Sequence, residues 1–295
     1  MPITSIFIRI ILFLGVIELV LLYQYYSVRA TLIKQRVLIF ITILLGLSIG
    51  FYITAIAGES IIYIPDRNNP PPVVSQPSEV VEVNFDNQGI TDDILAEMIA
   101  SGEIPQNVTH LGLGMNQISD ITPLQSLKSL TVLFLLDNPI DDITPLLSLT
   151  NLTALTIGST RWLIEISDLT PLQSLINLSE LNLFPSQISD ITPLASLTNL
   201  TSLRIIYNPI SDITPLQSLT NLTTLELFDN QINDITPLQS LTSLTELSLF
   251  DNQIIDITPL QSLTNLTELR LGGNQISEEQ IMELREALPD CEIEW

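Results

Sequence analysis

The chain has 295 residues and carries 33 acidic and 10 basic side chains, which gives a formal net charge of −23. Residues 1–57 hold four of the basic residues and one acidic residue, so the net charge of residues 58–295 is −26. This charge makes nucleic acid and anionic lipid surfaces poor partners for residues 58–295, and it favours a basic protein or divalent cations. With His110 as the one histidine and Cys291 as the one cysteine, a Ser-His-Asp set, a histidine-rich metal site and a thiolate cluster are excluded. We therefore expect no catalysis, no resident metal and no cofactor.

The N-terminal region is strongly apolar and indicates a membrane segment. Residues 37–57 are 21 positions without a charged side chain, which is long enough for a transmembrane helix. Arg29, Lys34 and Arg36 come just before this segment, and positive charge stays on the cytoplasmic side. We therefore predict a membrane-anchored chain whose residues after Ala57 lie outside the cytoplasm.

Two other arrangements of this region fit the sequence. Residues 3–23 are also apolar and could pair with the segment above as a helical hairpin, although Arg9 and Glu18 are costly in lipid. Alternatively, residues 29–57 resemble a signal peptide with a cleavage site at Ala57, and cleavage there would release the mature protein. All three arrangements export the rest of the chain.

A spacer and a cap lie between the apolar region and the centre of the chain. Residues 58–78 are rich in proline and are predicted to form an extended, semi-rigid linker. Residues 79–107 are predicted to form an N-terminal cap, in which a strand near 80–85 is followed by a helix. The aspartates after Thr91 suit the start of that helix, and Gly102 suits its end.

Residues 108–276 repeat a pattern of 22 residues, close to LTNLTxLxLxxNQIxDITPLQS. The aspartate of the pattern recurs every 22 residues, except for one step of 26, at Asp120, Asp142, Asp168, Asp190, Asp212, Asp234 and Asp256. A fixed period in this range is the signature of a solenoid, in which stacked repeats bury a common apolar core. We expect about eight repeats, which begin near Val108, Leu130, Leu152, Leu178, Leu200, Leu222, Leu244 and Leu266.

Each repeat is predicted to contain one strand and one short turn. Leu225 and Leu227 alternate with outward residues, which is the period of a strand with its leucines pointing inward. Asp234 suits the cap of a helical turn and Pro237 suits its first residues, so a 3₁₀ turn is expected on the back. The asparagine after each strand can bond to backbone groups of the turn, which predicts a ladder. The ladder positions are Asn116, Asn138, Asn208, Asn230, Asn252 and Asn274.

The repeats resemble leucine-rich repeats, and their 22-residue form is similar to the bacterial, internalin-like class. The match extends from about Val108 to Trp295. The resemblance implies an α/β solenoid, a horseshoe with a concave parallel β-sheet and short 3₁₀ or turn segments on the convex side, here preceded by N-terminal hydrophobic helices. It also implies a protein-binding module without catalysis. Residues 277–295, with a capping box from Ser277 to Gln280 and a last strand, resemble the C-terminal cap of bacterial members.

The outward positions of the strands differ between repeats, and we expect the protein partner to bind there, on the concave face. Large apolar side chains ringed by charge are typical of an interface centre with a polar rim. The predicted contacts are Leu136, Phe184, Tyr207, Phe228, Phe250, Arg204, Glu226 and Arg270. The alternative is that the aromatic residues of this outward column, which also contains Ile206, pack on each other along the sheet.

The third repeat carries a four-residue insertion that contains Arg161 and Trp162, and it lacks the ladder asparagine. The insertion is either a second contact point or a loop folded back on the solenoid.

Two recurring motifs are interpreted as structural. The seven aspartates are read as turn caps, because a calcium site needs six or more oxygens converging on one point. Asn-x-Ser/Thr sequons are read as part of the repeat pattern instead of glycan sites. The sequon asparagines are Asn107, Asn151, Asn177, Asn199, Asn221 and Asn265.

The sequence therefore favours an exported, membrane-tethered module of the receptor or adhesion type that binds a protein on its concave face. The alternative is a scaffold or regulatory subunit of a membrane complex, held through the N-terminal helices. Arg9 and Glu18 motivate that alternative, because polar residues within a span often mark helix–helix contacts.

Overall fold

The computed structural model describes residues 62–63, 80–162 and 164–295, which belong to one compact unit. These residues form an 11-stranded sheet in which every neighbouring pair is parallel and the strands follow in chain order. The strands are β1 Ile62–Tyr63, β2 Glu82–Asn84, β3 His110–Gly112, β4 Val132–Phe134, β5 Ala154–Ile157, β6 Glu180–Leu183, β7 Ser202–Ile205, β8 Thr224–Glu226, β9 Glu246–Ser248, β10 Glu268–Arg270 and β11 Glu292–Glu294. Strands β3 to β10 belong to the eight predicted repeats, which confirms the solenoid.

Within the described residues, seven five-residue 3₁₀ helices lie on the opposite side of the core from the sheet. They are η1 Thr122–Ser126, η2 Thr144–Ser148, η3 Thr170–Ser174, η4 Thr192–Ser196, η5 Thr214–Ser218, η6 Thr236–Ser240 and η7 Thr258–Ser262. A proline is the second residue of each, where its missing N–H has no partner to lose. The prediction of short 3₁₀ turns is confirmed, and we call this side of the solenoid the turn face.

The core lies between the sheet and the turn face. The inward leucines of each repeat, such as Leu225, Leu227 and Leu238, are fully buried. They belong to one continuous apolar cluster that extends from the N-terminal cap to the C-terminal cap. Each repeat packs mainly on its two neighbours, so the array gains stability by stacking and needs closed ends.

A helix lies at each end of the repeat array. Helix α1, Asp92–Ser101, ends at Gly102, whose φ of 81° is in the left-handed region that glycine adopts at little cost. Helix α2, Glu278–Ala287, begins with the predicted capping box. Gln280 N donates to Ser277 Oγ at 3.3 Å, and Ser277 N donates to Gln280 Oε1 at 3.4 Å. Strand β11 follows as the predicted closing strand.

The sheet begins earlier in the chain than the sequence indicates. Strand β1 pairs with β2 through Ile62 and Glu82, although residues 58–78 are predicted to be a linker. The predicted transmembrane helices and signal peptide, in residues 1–57, lie outside the described residues. Of the helices that the structure describes, none is long and apolar enough to cross a membrane.

Candidate functional site

The outer face of the sheet, which points away from the core, carries a row of polar side chains. The register places one residue of each strand from β5 to β9 beside the next, and we call this set the polar row: Thr156, Asn182, Arg204, Glu226 and Ser248. Neighbouring strands are about 4.8 Å apart. Consecutive members of the polar row are therefore within reach of each other's side chains.

Arg204 and Glu226 form an ion pair at the centre of the polar row. Arg204 Nε donates to Glu226 Oε1 at 2.8 Å. The two side chains retain 24% and 17% of their exposure, so salt screens this pair less than it screens a pair on the open surface. The bond fixes the guanidinium, and within the described part of the chain its two Nη groups have no hydrogen-bond partner.

Asn182 is the neighbour of Arg204 in the polar row and is only 1% exposed. Its Nδ2 donates to Thr156 Oγ1 at 3.1 Å and to Glu180 Oε1 at 2.9 Å. Its Oδ1 is buried and accepts no hydrogen bond from any residue that the structure describes, a property that it shares with Asn230 Oδ1 of the ladder. Such an acceptor is unusual in a folded protein, because it has lost water without gaining a donor.

The outward apolar column is not an exposed stripe. Four of its members are buried: Leu136, Phe184, Ile206 and Phe228. Phe250 is half-buried, and its ring lies where a Cβ on Gly272 would clash with it. Strands this close let a large side chain lean along the sheet and cover its neighbour. Leu136, Phe184 and Phe228 were predicted as partner contacts, but they are not exposed to a partner, and packing along the sheet is favoured.

Tyr207 is half-buried and lies two residues after the end of β7, just beyond the polar row. Its ring meets the Phe228 ring edge-on, with the centroids 5.1 Å apart and the planes at 80°. The φ of Tyr207 is 56°, in the left-handed region that is unfavourable for a bulky residue. Aspartate or glycine occupies the equivalent position in several other repeats. A tyrosine held there against its backbone preference is a reason to look for a role in recognition.

Arg270 is the predicted contact nearest to the C-terminal cap. It pairs with Ser248 in register, so it extends the line of the polar row. Its side chain is half-exposed and forms ion pairs with Glu268 and with Glu294, whose Oε2 lies 3.4 Å from Arg270 Nε. Exposed pairs of this kind contribute little to stability, and they leave the arginine accessible.

The insertion of the third repeat is held by a buried carboxylate. Asp137, in the preceding repeat, is 5% exposed, and its Oδ1 accepts from Thr160 N at 2.7 Å, Thr160 Oγ1 at 2.9 Å and Ser159 Oγ at 3.3 Å. Arg161 Nε lies 3.4 Å from Asp137 Oδ2, and Trp162 N donates to Ser159 Oγ at 2.9 Å. The loop is therefore bound to the solenoid. Even so, the Arg161 and Trp162 side chains stay exposed.

The asparagines after the strands make the hydrogen bonds of the predicted ladder. Asn252 Nδ2 donates to Leu227 O at 2.9 Å and to Leu249 O at 3.0 Å, and Asn252 Oδ1 accepts from Ile232 N at 3.1 Å. The other ladder residues also donate to main-chain oxygens: Asn116, Asn138, Asn208, Asn230 and Asn274. These side chains hold one repeat to the next and are not available to a partner.

A second asparagine ladder, which the sequence did not lead us to expect, runs along the turn face. Its members each donate through Nδ2 to a main-chain oxygen of the preceding repeat: Asn151, Asn177, Asn199, Asn221 and Asn265. The serine or threonine of the same sequon also donates to a main-chain oxygen of the preceding repeat. Five sequons thus serve the stacking of repeats. Their fixed place in the 22-residue pattern was the signal for this role.

The marker aspartates bond to the first residue of each 3₁₀ turn, as caps would, but they lie one residue before the N-cap position, which is an isoleucine or a leucine. In all seven, one carboxylate oxygen accepts from the backbone N–H of the threonine two residues later, at 2.8–2.9 Å. Hydrogen bonds from that threonine, its side chain first and its backbone second, lower the pKa of six of them: Asp142, Asp168, Asp190, Asp212, Asp234 and Asp256. Among the described residues, no group of three His, Cys, Asp or Glu side chains could hold a metal ion.

Comparison with known proteins gives relatives with the same architecture. The family described as Leucine Rich repeats (2 copies) matches residues 106–148, 198–240 and 242–282. An internalin of Listeria monocytogenes, inlF, is 36% identical with a TM-score of 0.60 over 72% of this chain and 57% of that chain. Internalin C2 of the same organism is 39% identical with a TM-score of 0.56 over 66% of this chain and 79% of that chain.

A more distant match is the ectodomain of a plant membrane receptor kinase from Arabidopsis thaliana, solved in complex with Casparian strip integrity factor 2. It is 20% identical with a TM-score of 0.58 over 72% of this chain and 26% of that chain, which shows a shared fold. This chain spans just over half the length of the inlF structure. No curated protein sequence matches the chain.

Proposed function

The chain belongs to the leucine-rich repeat family, in its internalin-like class, and from this premise we propose that its repeats bind a protein partner through the outer face of the sheet, without catalysis. The observation that carries the proposal is the partly exposed Arg204–Glu226 pair at the centre of the polar row, with half-buried Tyr207 and Phe250 close to it. Arginine and tyrosine are common among the residues that dominate protein interfaces.

The contrast between fixed and varied positions supports the outer face over the turn face. Inward leucines, ladder asparagines and capping aspartates recur in nearly every repeat, because each copy needs the same stacking contacts. In the polar row the residue type changes from one strand to the next. Stacking places no such demand on outward positions, so this is where a partner-specific surface can be built.

The test uses a photo-crosslinking amino acid placed at single positions of the full chain in cells. We expect a protein adduct with the probe at Tyr207 or Phe250, on the sheet side. The matched control is Ile176, an exposed apolar residue on the turn face, where no adduct is expected. Adducts that form at Ile176 and at neither sheet position would contradict the proposal.

We further propose that the Arg161–Trp162 loop is a second contact point. Asp137 already holds the loop, so binding would cost little ordering entropy. Trp162→Ala should reduce the yield of the adduct formed at Tyr207. Trp295→Ala is the matched control, because Trp295 is exposed to a similar degree at the C-terminal cap. Equal yields from the two variants would remove Trp162 from the interface.

We also propose that the repeats are exported and tethered to the membrane, as a receptor or adhesion module. The support is residues 37–57, which are uncharged, together with Arg29, Lys34 and Arg36 before them. Protease added to intact cells or spheroplasts should cleave the repeats, and mass spectrometry should find a chain that begins before residue 37. A chain that begins at Gly58 would mean secretion after cleavage. Repeats that resist the protease would rule out export.

The alternative is a scaffold or regulatory subunit of a membrane complex, held through the N-terminal helices. Arg9 and Glu18 are the motivating residues. Under this alternative, Arg9→Leu with Glu18→Leu would release the full chain from its complex, whereas Tyr207→Ala would not. The opposite pattern favours recognition by the outer face.

A further inference from the structure

The unpaired oxygen of Asn182 is the starting point. Asn182 Oδ1 is buried and has no hydrogen-bond donor, while the Nδ2 of the same amide makes two bonds. One of those bonds goes to Thr156 on β5, and the strand on the other side of Asn182 is β7. Because Oδ1 is closed to water, only a neighbouring side chain can supply its donor.

Arg204 is the neighbour that can do so. It lies beside Asn182 in register on β7, and it uses only Nε, for Glu226 on β8. An arginine offers five N–H donors, and the other four of Arg204 make no hydrogen bond to any residue that the structure describes. Arg204 thus lies between two acceptors: Glu226, to which it donates, and Asn182 Oδ1, to which it does not.

We propose that Arg204 is a switch: when a lysine or arginine side chain of the partner binds Glu226, Arg204 turns to Asn182 Oδ1. This inference rests on the proposed function, because it assumes that the partner meets the outer face. Moving Arg204 alone would leave a largely buried carboxylate without a cation, which is costly. The partner's cation removes that cost, and the Asn182 oxygen gains its missing donor. Arg204 therefore keeps a hydrogen bond in both states.

The charge of the chain supports a basic partner. Residues 58–295 carry a net charge of −26, so a basic protein is attracted to the domain as a whole. Glu226 in the polar row then provides the site at which one lysine or arginine of the partner binds. In the free protein, Arg204 occupies Glu226 and so discourages cations that approach without the rest of the interface.

The test follows tetralysine binding to the full chain by NMR, through the Arg204 Nε–H and Asn182 side-chain amide signals. We expect both signals to shift in parallel as the peptide binds. An Arg204 signal that stays unchanged when the peptide saturates the protein overturns the proposal, as does the absence of binding.

Substitutions should change the affinity for tetralysine in opposite directions. Arg204→Gln frees Glu226 and should strengthen binding about fivefold, whereas Glu226→Gln should weaken it by a similar factor. Asn182→Leu should also weaken binding, because Arg204 loses its second acceptor. Arg285→Gln on the C-terminal cap helix and Glu246→Gln are the matched controls, since they change the net charge equally at places outside the polar row. Equal effects of Arg204→Gln and Arg285→Gln would reduce the result to net charge and overturn the switch.

A stability measurement separates a functional Asn182 from a structural one. Asn182→Leu removes a buried unpaired oxygen, which stabilises the fold, and also the two hydrogen bonds from Nδ2, which costs stability, so its melting temperature should change little from that of the unsubstituted chain. A large drop would assign Asn182 to the fold and overturn its role in the switch. If the probes at Tyr207 and Phe250 form partner adducts but the Arg204 NMR signal does not change, the switch is rejected and the proposed function stands. If those probes form no adduct, the switch and the proposed function are both rejected.

Discussion

In the seventh repeat, residues 244–265, and in the third repeat, residues 152–177, different side chains satisfy the backbone that leaves the strand. The seventh repeat uses Asn252, which both donates to and accepts from the main chain. The third repeat is four residues longer and has no asparagine there. Asp137 of the preceding repeat accepts from its loop instead. An amide serves a turn with unpaired oxygens and N–H groups, whereas a carboxylate serves a loop with unpaired donors only. The difference shows that insertions are tolerated where a neighbouring repeat supplies the missing partner.

The largest effect is expected where the regular ladder is broken. Asn252→Ala leaves two or more buried main-chain groups without partners and should lower the free energy of unfolding by about 3 kcal/mol. Asn265→Ala is the control, because Asn265 is exposed and makes one bond, to Thr242 O at 2.8 Å. Urea unfolding followed by circular dichroism measures both. If the two variants lose similar amounts of unfolding free energy, burial does not determine how much a ladder asparagine stabilises the fold.

The next effect is expected at the anchor of the irregular repeat. Asp137→Ala should lower the free energy of unfolding by about 2 kcal/mol, because a buried carboxylate with several donors is removed. Hydrogen exchange at Thr160 should also become faster, since its N–H loses its acceptor. Asp141→Ala is the control, because exposed Asp141 accepts only from Glu165 N, at 3.0 Å, at the other end of the loop. Unchanged exchange at Thr160 would show that the loop holds its own shape.

A smaller effect is expected at the caps of the regular turns. Asp234→Ala removes the acceptor for Thr236 N and should lower the free energy of unfolding by no more than about 1 kcal/mol. Asn233→Ala, at the adjacent exposed position, controls for the change of a polar surface residue. The cap would have no energetic role if the two variants unfold at the same urea concentration.

The smallest effect is a dependence on pH. The pKa of Asp234 is lowered in the folded chain by hydrogen bonds from Thr236, first its side chain and then its backbone. Its stabilisation is therefore complete above the ordinary value of 3.8 and is lost as pH falls through the lowered pKa. The stability difference between the unsubstituted chain and Asp234→Ala should shrink below pH 3.8. A difference that stays constant to pH 2 would show that the carboxylate charge is not what caps the turn.

Features that keep a fixed place in most repeats could largely be predicted from the sequence. The inward leucines, the ladder asparagines and the capping aspartates each occupy one position of the pattern, so a role inferred for one repeat holds for the others. The capping box at Ser277 is local, because its two bonds join residues three apart.

Features that depend on which side chains one particular neighbouring repeat supplies could not be predicted. The side chains of neighbouring strands determine how exposed Phe184 and Phe228 are. The alternation of residues within one strand gives no information about those neighbours. In the sequence, Asp137 is one of many variable residues. Its role depends on the loop of the next repeat, whose Thr160 N–H donates to it. Strand β1 is only two residues long and shows no alternation that would mark it.

The two asparagine ladders and the hydroxyl bonds between them join each repeat only to its immediate neighbours. Pulled from its ends, such an array carries the same force through every junction, and the weakest junction yields first. A domain of this kind under flow or cell movement would lengthen in steps, each releasing one 22-residue repeat and roughly 70–80 Å of chain. The stacking that builds the sheet would then also limit the damage, because the inner repeats keep their shape while the outermost repeats unfold.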